Sequence, residues 1–294
     1  MDTVYFFEVR KGSMELEKVN LFNKDNTIKI RIKQITWEEL FVDKTILFNL
    51  ICDLLLNEKN LLYYATQKES SKTITETKKY VDSLIKNNNL IIVVEDIFNS
   101  LGWNNEINIS NTTFQGDLAE YLMSVLLDKF TNVETLISKI SFKTSSKMPV
   151  HGNDNVYFDY ENDILYYGES KFYKNAREGL EAAVESIKKH STVEEISFVR
   201  NHTSSFIAET EEKRTKMVEK YETIYADSIN IRSIIFVVNE DIYDIHEYER
   251  MLIEYFGSEE DLIKKTEEII LVFLPVLSKK EFLEFFVRRI NNEQ

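Results

Sequence analysis

The chain reads as an α/β protein in which a mixed sheet is flanked by helices and preceded by a smaller N-terminal α/β region. Three observations predict this class. Two apolar runs, residues 231–239 and 268–275, have the length and β-branched content of buried strands. Residues 155–160 and 164–170, rich in Val, Ile, Tyr and Phe, flank Glu161-Asn162-Asp163 and read as a β-hairpin. Residues 114–130, and the segment that follows Lys171, repeat apolar side chains at helical spacing.

Taken in order, residues 3–9 and 27–35 alternate as strands. Residues 36–56 have helical periodicity beginning at Thr36, with Glu38 and Glu39 in the first turn. Residues 70–86 form a polar-faced helix, opened by serines and closed by Asn87-Asn88-Asn89. Nothing in residues 1–110 has catalytic spacing, so this region is expected to serve as scaffold or partner-binding surface. The Asn-, Ser- and Thr-rich stretch 102–113 predicts a linker, and residues 111–294 the second domain. There the order is helix 114–130, strand 139–143, the hairpin, and a helix carrying Ala176, Leu180, Ala183, Val184 and Ile187 on one face. A charged helical insertion at about 192–226 follows, then strand 231–239, helices 246–256 and 259–267, strand 268–275 and a last helix from residue 278.

Composition narrows the function. Of 294 residues, 43% are hydrophobic and two are proline, enough for a substantial core. The lone Cys52 has no partner for an internal disulfide, which points to a reducing cytoplasm. No secretion signal opens the chain and no apolar run is long enough to span a bilayer, so a cytoplasmic protein without membrane contact is expected. Seven glycines include no phosphate-binding loop and no Gly-X-Ser-X-Gly elbow. The four histidines, His151, His190, His202 and His246, lack zinc-site spacing. The net charge is −14 and unevenly spread: 14 Lys and Arg face 16 Asp and Glu over residues 1–114, against 22 and 34 over the remainder. A chain this acidic is expected to grip nucleic acid poorly by itself and to rely on a partner for phosphate contacts.

The chemistry concentrates in residues 151–171. With a two- or four-residue turn, Asp154 falls opposite Lys171 or Glu169, and opposed residues of an antiparallel pair share a face. Glu169 and Lys171 share a face by strand alternation. Two carboxylates hold Mg²⁺ through oxygen, and a lysine beside them steadies phosphate or the attacking water. Asp159, the rival acid, pairs near the closed end of the hairpin, roughly 16 Å from Glu169 at the usual strand rise. On helix 114–130, apolar on nearly all sides, Glu120 is a buried acid that needs a partner or a metal. Asp117, one turn earlier, reads as a capping or first-turn acid. Lys174 and Arg177 stand at the start of the next helix, where ammonium, guanidinium and helix N-terminus all favour phosphate.

These residues carry a family resemblance. Asp154 with Glu169-Ser170-Lys171 is similar to the Asp…Glu-X-Lys signature of PD-(D/E)XK nucleases. Together with Gln115-Gly116-Asp117-Leu118-Ala119-Glu120, His151-Gly152-Asn153-Asp154 and the helix after Lys171, it resembles the HamA family, nuclease subunits of Hachiman anti-phage defence, mainly over residues 110–294. The resemblance implies a restriction-endonuclease-like core of order α-β-β-β-α-β and a Mg²⁺-dependent DNase in which Mn²⁺ can substitute. It implies that Asp154, Glu169, Glu120 and the Ser170 backbone carbonyl are the metal ligands, with Lys171 beside the attacking water. It also implies a superfamily 2 helicase subunit that restrains the nuclease and delivers it to DNA. Asn153 stands where many nucleases of this type have Pro, a difference in backbone shaping more than in chemistry. Two other functions fit the same fold: a catalytically silent interaction subunit of a helicase complex, which the intact Asp154, Glu169 and Lys171 argue against, and a nuclease acting on RNA.

Overall fold

The computed structural model describes residues 4–10, 13–19, 29–36, 44–57, 60, 72–87, 108–130, 133–138, 154–159, 162, 164–189, 192–227, 231–241, 243, 245–256, 268–276 and 278–290. The strands among them are β1 (Val4–Arg10), β2 (Ser13–Val19), β3 (Lys29–Thr36), β4 (Val133–Ser138), β5 (Asn155–Asp159), β6 (Ile164–Phe172), β7 (Ile231–Asn239) and β8 (Glu268–Pro275). The helices are α1 (Lys44–Leu55), α2 (Ile74–Asn87), α3 (Thr112–Phe130), α4 (Ala176–Lys189), α5 (Thr192–Asn201), α6 (Glu211–Asp227), α7 (Ile245–Phe256) and α8 (Lys279–Ile290).

One sheet runs β2-β1-β3-β8-β7-β6-β5-β4. Its β4-β5-β6 end is antiparallel, whereas β6, β7, β8 and β3 are parallel. Strand β6 is therefore one boundary between the two pairing modes, and β1, antiparallel to β2 and parallel to β3, is the other. The parallel centre is covered on both faces, which explains why β7 and β8 are almost continuously apolar. Ile234, Phe236 and Val238 face one layer with Leu118, Leu122 and Leu126 of α3 and with α1 and α8. Ile235 and Val237 face the other layer, against Leu180 and Val184 of α4 and Tyr248 of α7. Beneath the hairpin, Leu165 and Tyr167 pack on Val199 of α5 and Met217 and Tyr221 of α6.

The expected elements are largely present, with instructive differences. The first α/β strands join the main sheet, since β3 pairs with β8 from Lys29↔Glu268 to Gln34↔Phe273. Helix α1 belongs to the same core, with Phe48 and Phe282 rings 5.4 Å apart. Strand β2 was not expected. Its apolar signal is only Met14, Leu16 and the terminal Val19, and pairing with β1 along its whole length makes it a strand. The strand expected at 139–143 lies outside the described residues, and the strand that pairs with the hairpin is Val133–Ser138, three residues after α3 ends. The charged helical insertion at about 192–226 is present as two helices separated by the 3-10 turn Thr203–Ser205. The expected helix 259–267 also lies outside the described residues.

Helix α3 starts at Thr112 because Asn111 caps it, its side chain accepting the Thr113 N–H at 2.9 Å and its carbonyl the Gln115 N–H at 3.1 Å. Asp117 thus sits in the second turn, buried, not in the first. The helix approaches the sheet closely over Gly168. A β-carbon there would lie 2.5 Å from Tyr157 Cε2 and 3.1 Å from Met123 Cε. Gly168→Val is predicted to destabilise the protein by about 1–3 kcal/mol through overpacking, read as a lower urea midpoint. An unchanged midpoint would contradict this packing.

Candidate active site

The site is built by the β5–β6 register. Asp159 pairs with Ile164, and Asn155 with Gly168, so the turn has four residues and Asp154 lies opposite Glu169. Pairing continues one residue past β5, where the Asp154 N–H donates to the Gly168 carbonyl at 2.9 Å. There the Asp154 side chain takes over from the backbone ladder. Its Oδ2 accepts the Ser170 N–H at 2.7 Å and the Ser170 hydroxyl at 2.8 Å. Asp159 does a different job: its carboxylate accepts the Asn162 N–H at 3.0 Å and the Asn162 side-chain amide at 2.8 Å, closing the turn.

Glu169 is 2% exposed, and by alternation it projects with Leu165 and Tyr167 towards the α4 side of the sheet. The Lys171 ammonium donates to Oε1, and Ser186 of α4 lends a smaller favourable interaction, while the buried Oε2 makes no hydrogen bond. Burial first, and the Asp154 carboxylate second, push the Glu169 pKa up to about 7, with Lys171 opposing both. For Lys171 the balance runs the other way. Burial pulls its amine down, but Glu169 and Asp154 outweigh burial and hold it above the ordinary lysine value. Lys171 is an ammonium at neutral pH.

Glu120 reaches the site from α3. It is buried, and its backbone carbonyl accepts the Asn155 side-chain amide at 3.4 Å, tying helix to hairpin. Glu120 lines a cleft of about 380 Å³ together with Asp154, Ser170, Lys171 and Lys174. Glu169 does not line it, its carboxylate being buried against the Lys171 ammonium, which does. Among the described residues no three His, Cys, Asp or Glu side chains come close enough to hold a metal ion together. Asp154, Glu169 and Lys171 are thus brought together, and Glu120 shares the cleft with Asp154 without completing a three-acid cluster.

Of the basic residues, Lys174 lines the cleft with its Nζ 3.9 Å from Glu240 Oε2. Arg177 does not line it. Its guanidinium donates to Glu254 at 3.3 Å on the exposed face of α4. Sequence reasoning missed Lys279, which enters the cleft wall from α8. Its Nζ donates to the Phe172 carbonyl at 2.7 Å and lies 4.8 Å from the Phe172 ring centroid. Burial pulls its amine below the ordinary lysine range, with Glu240 opposing. A signal was present: Lys279 and Lys280 open a helix, where the dipole repels cations. Cys52 and His202 are structural. Burial pushes the Cys52 thiol up to about 12, and His202 stacks on Phe198 with Nδ1 2.7 Å from its carbonyl. His151 lies outside the described residues.

The HamA family model matches residues 17–290, which takes in the N-terminal strands from Glu17 as well as the whole site. The chain belongs to the HamA family. No curated protein and no solved structure matches it. Membership in HamA implies a protein of Hachiman anti-phage defence. Among the described residues, no helix is long and apolar enough to cross a membrane.

The Glu169 carboxyl gives a pH signature. Its folded pKa is raised from 4.5 to about 7, so the folded state holds a proton that the unfolded state releases within that window. Stability is present below pH 4.5 and is lost as pH rises through about 7. In chelator, wild type is predicted to lose melting temperature between these values, and Glu169→Gln to flatten that dependence. Identical profiles for the two proteins would contradict the assignment.

Proposed function

We propose that this HamA-family chain is a metal-dependent deoxyribonuclease of phage defence, acting with a helicase partner. The observation that carries the reading is the buried Glu169 carboxylate, facing Asp154 and ion-paired to Lys171. Setting the half-buried Asp154 carboxylate beside the buried Glu169 is unfavourable unless cations compensate the pair, and one lysine leaves a deficit.

The donor set suits Mg²⁺ or Mn²⁺. Carboxylates of Asp154 and Glu169 and the Ser170 carbonyl are hard oxygen donors, and Glu169 Oε2 is buried without a hydrogen bond. Mg²⁺ characteristically uses one or two carboxylates and keeps several waters, so a three-acid cluster is not required, and Glu120, which lines the same cleft, would act through water. A divalent cation held there supplies a more acidic water and charge neutralisation at phosphate. Lys171, as an ammonium, donates hydrogen bonds and does not take up a proton. It orients the attacking water and meets the negative charge that develops on the phosphate oxygens. Ser170 fixes Asp154 with two hydrogen bonds, so that carboxylate is positioned before substrate arrives. The acidic chain supports the partner assignment, because a net charge of −14 disfavours long-range capture of DNA and a helicase would supply that capture.

The test is cleavage of plasmid DNA, linear DNA and RNA with Mg²⁺ or Mn²⁺, by the chain alone and with its helicase partner. DNA cleavage is predicted, falling about a hundredfold or more in Glu169→Ala and Lys171→Ala. Cleavage of RNA alone overturns the substrate assignment. Equal DNA cleavage by all three proteins overturns the site.

A further inference from the structure

The cleft that holds Glu120 and Asp154 continues past Lys174. A second cavity of about 310 Å³ adjoins it, and the two share Gln115, Lys174 and Lys279. Charge is distributed unevenly along the joined groove. Glu120, Asp154 and Lys171 belong to the first cavity, Lys280 to the second, and Lys174 and Lys279 to both. Glu240 also lines the second cavity, but it is occupied at two places: Oε1 accepts the Lys279 N–H at 2.7 Å, and Oε2 lies 3.9 Å from Lys174.

Two features say that this end of the groove is made for an anion. Lys279 and Lys280 crowd the first turn of α8, with Glu281 the acid of that turn, against the direction the helix dipole favours. Helix α3 presents its first turns to the same groove through Thr112, Gln115 and Gly116, and its first turn contains no acid. An anion in the groove lies beside the first turns of α3 and α8 and within reach of three ammonium groups. The Lys174 and Lys280 side chains are 80% and 78% exposed, and their ion pairs with Glu240 and Glu284, at 3.9 and 3.8 Å, are long surface pairs that a phosphate can displace. One phosphate would occupy one of these lysines. A row of three along a groove that leads from a pair of carboxylates fits a repeating polyanion. The net charge of −14 repels such a ligand from the rest of the surface and confines it to this path.

We infer that the phosphodiester backbone of a DNA strand leaves the carboxylate site along this groove, contacting Lys174, Lys279 and Lys280 at successive phosphates. The inference rests on the nuclease reading for where the strand is cut. Its own content, the path, is measurable without cleavage.

The experiment compares DNA binding by the full chain in a Glu169→Gln background with Mg²⁺ present, using a fluorescent oligonucleotide at low and rising salt. Adding Lys174→Glu and Lys280→Glu together is expected to weaken binding about tenfold or more and to reduce the salt slope by about 2, roughly one per lost phosphate contact. Lys216→Glu, an exposed α6 lysine paired with Glu212, is the control and is expected to stay within about twofold of the background. Melting curves verify that each variant folds. Unchanged affinity and slope in the double variant overturn the path, and so does a background protein that binds no DNA at low salt. Should the unaltered protein cut DNA while the double variant binds normally, the path falls and the nuclease reading stands. Should the double variant bind poorly while the unaltered protein cuts nothing, the path stands and the nuclease reading falls.

Discussion

A buried carboxylate with a second, half-buried one beside it and a single ammonium to offset them sets the terms for everything else at this end of the molecule. Glu169 is almost fully buried, so its charge costs far more than that of a surface glutamate. Asp154 adds repulsion, and the response is a carboxyl that gives up its proton only near neutrality. Lys171 offsets part of this and is itself held charged by the same pair. A site with this balance takes up positive charge readily. That is the property a phosphodiester hydrolase needs before substrate arrives.

The fold delivers this arrangement through a change in pairing. β6 is antiparallel to β5 on one side and parallel to β7 on the other, so one strand both receives Asp154 from the hairpin and is rooted in the buried centre of the sheet. The two faces of β6 are then used differently. Gly168 and Ser170 face α3, where Gly168 admits the close packing of Tyr157 and Met123. Glu169 and Lys171 alternate towards the opposite layer. Asp154 bridges the two, its backbone in register with Glu169 and its side chain bound to Ser170. A carboxylate locked to the backbone of the very strand that carries its partner has little freedom to misplace itself.

What the sequence made legible was local. The hairpin, and a register that sets Asp154 opposite Glu169 or Lys171, follow from residues within about twenty positions, where alternation and turn chemistry are strong; the four-residue turn that selects Glu169 is visible only in the structure. The relegation of Asp159 to turn closure follows from the same arithmetic. Strands β7 and β8 were visible because their runs of Ile, Val, Phe and Leu suit a sheet covered on both faces. The features that escaped depend on distant contacts. β2 is a strand because β1 lies beside it, and Lys279 reaches Phe172 across 107 positions of sequence. Arg177 shows the converse: it stood at a promising helix start, yet Glu254, 77 residues away, claims it. Glu120 was recognised as a buried acid, but its helix lies on the face of the sheet opposite to Glu169, a relation that periodicity alone does not encode.

Direct location of the cation decides the central claim. Crystals of the chain grown above pH 7 with Mn²⁺ would show, by anomalous scattering, where the ion rests. A peak roughly 2.1 Å from oxygens of both Asp154 and Glu169 is the predicted result. Saturating Mn²⁺ with no peak at Glu169, or with the ion bound elsewhere, would contradict it.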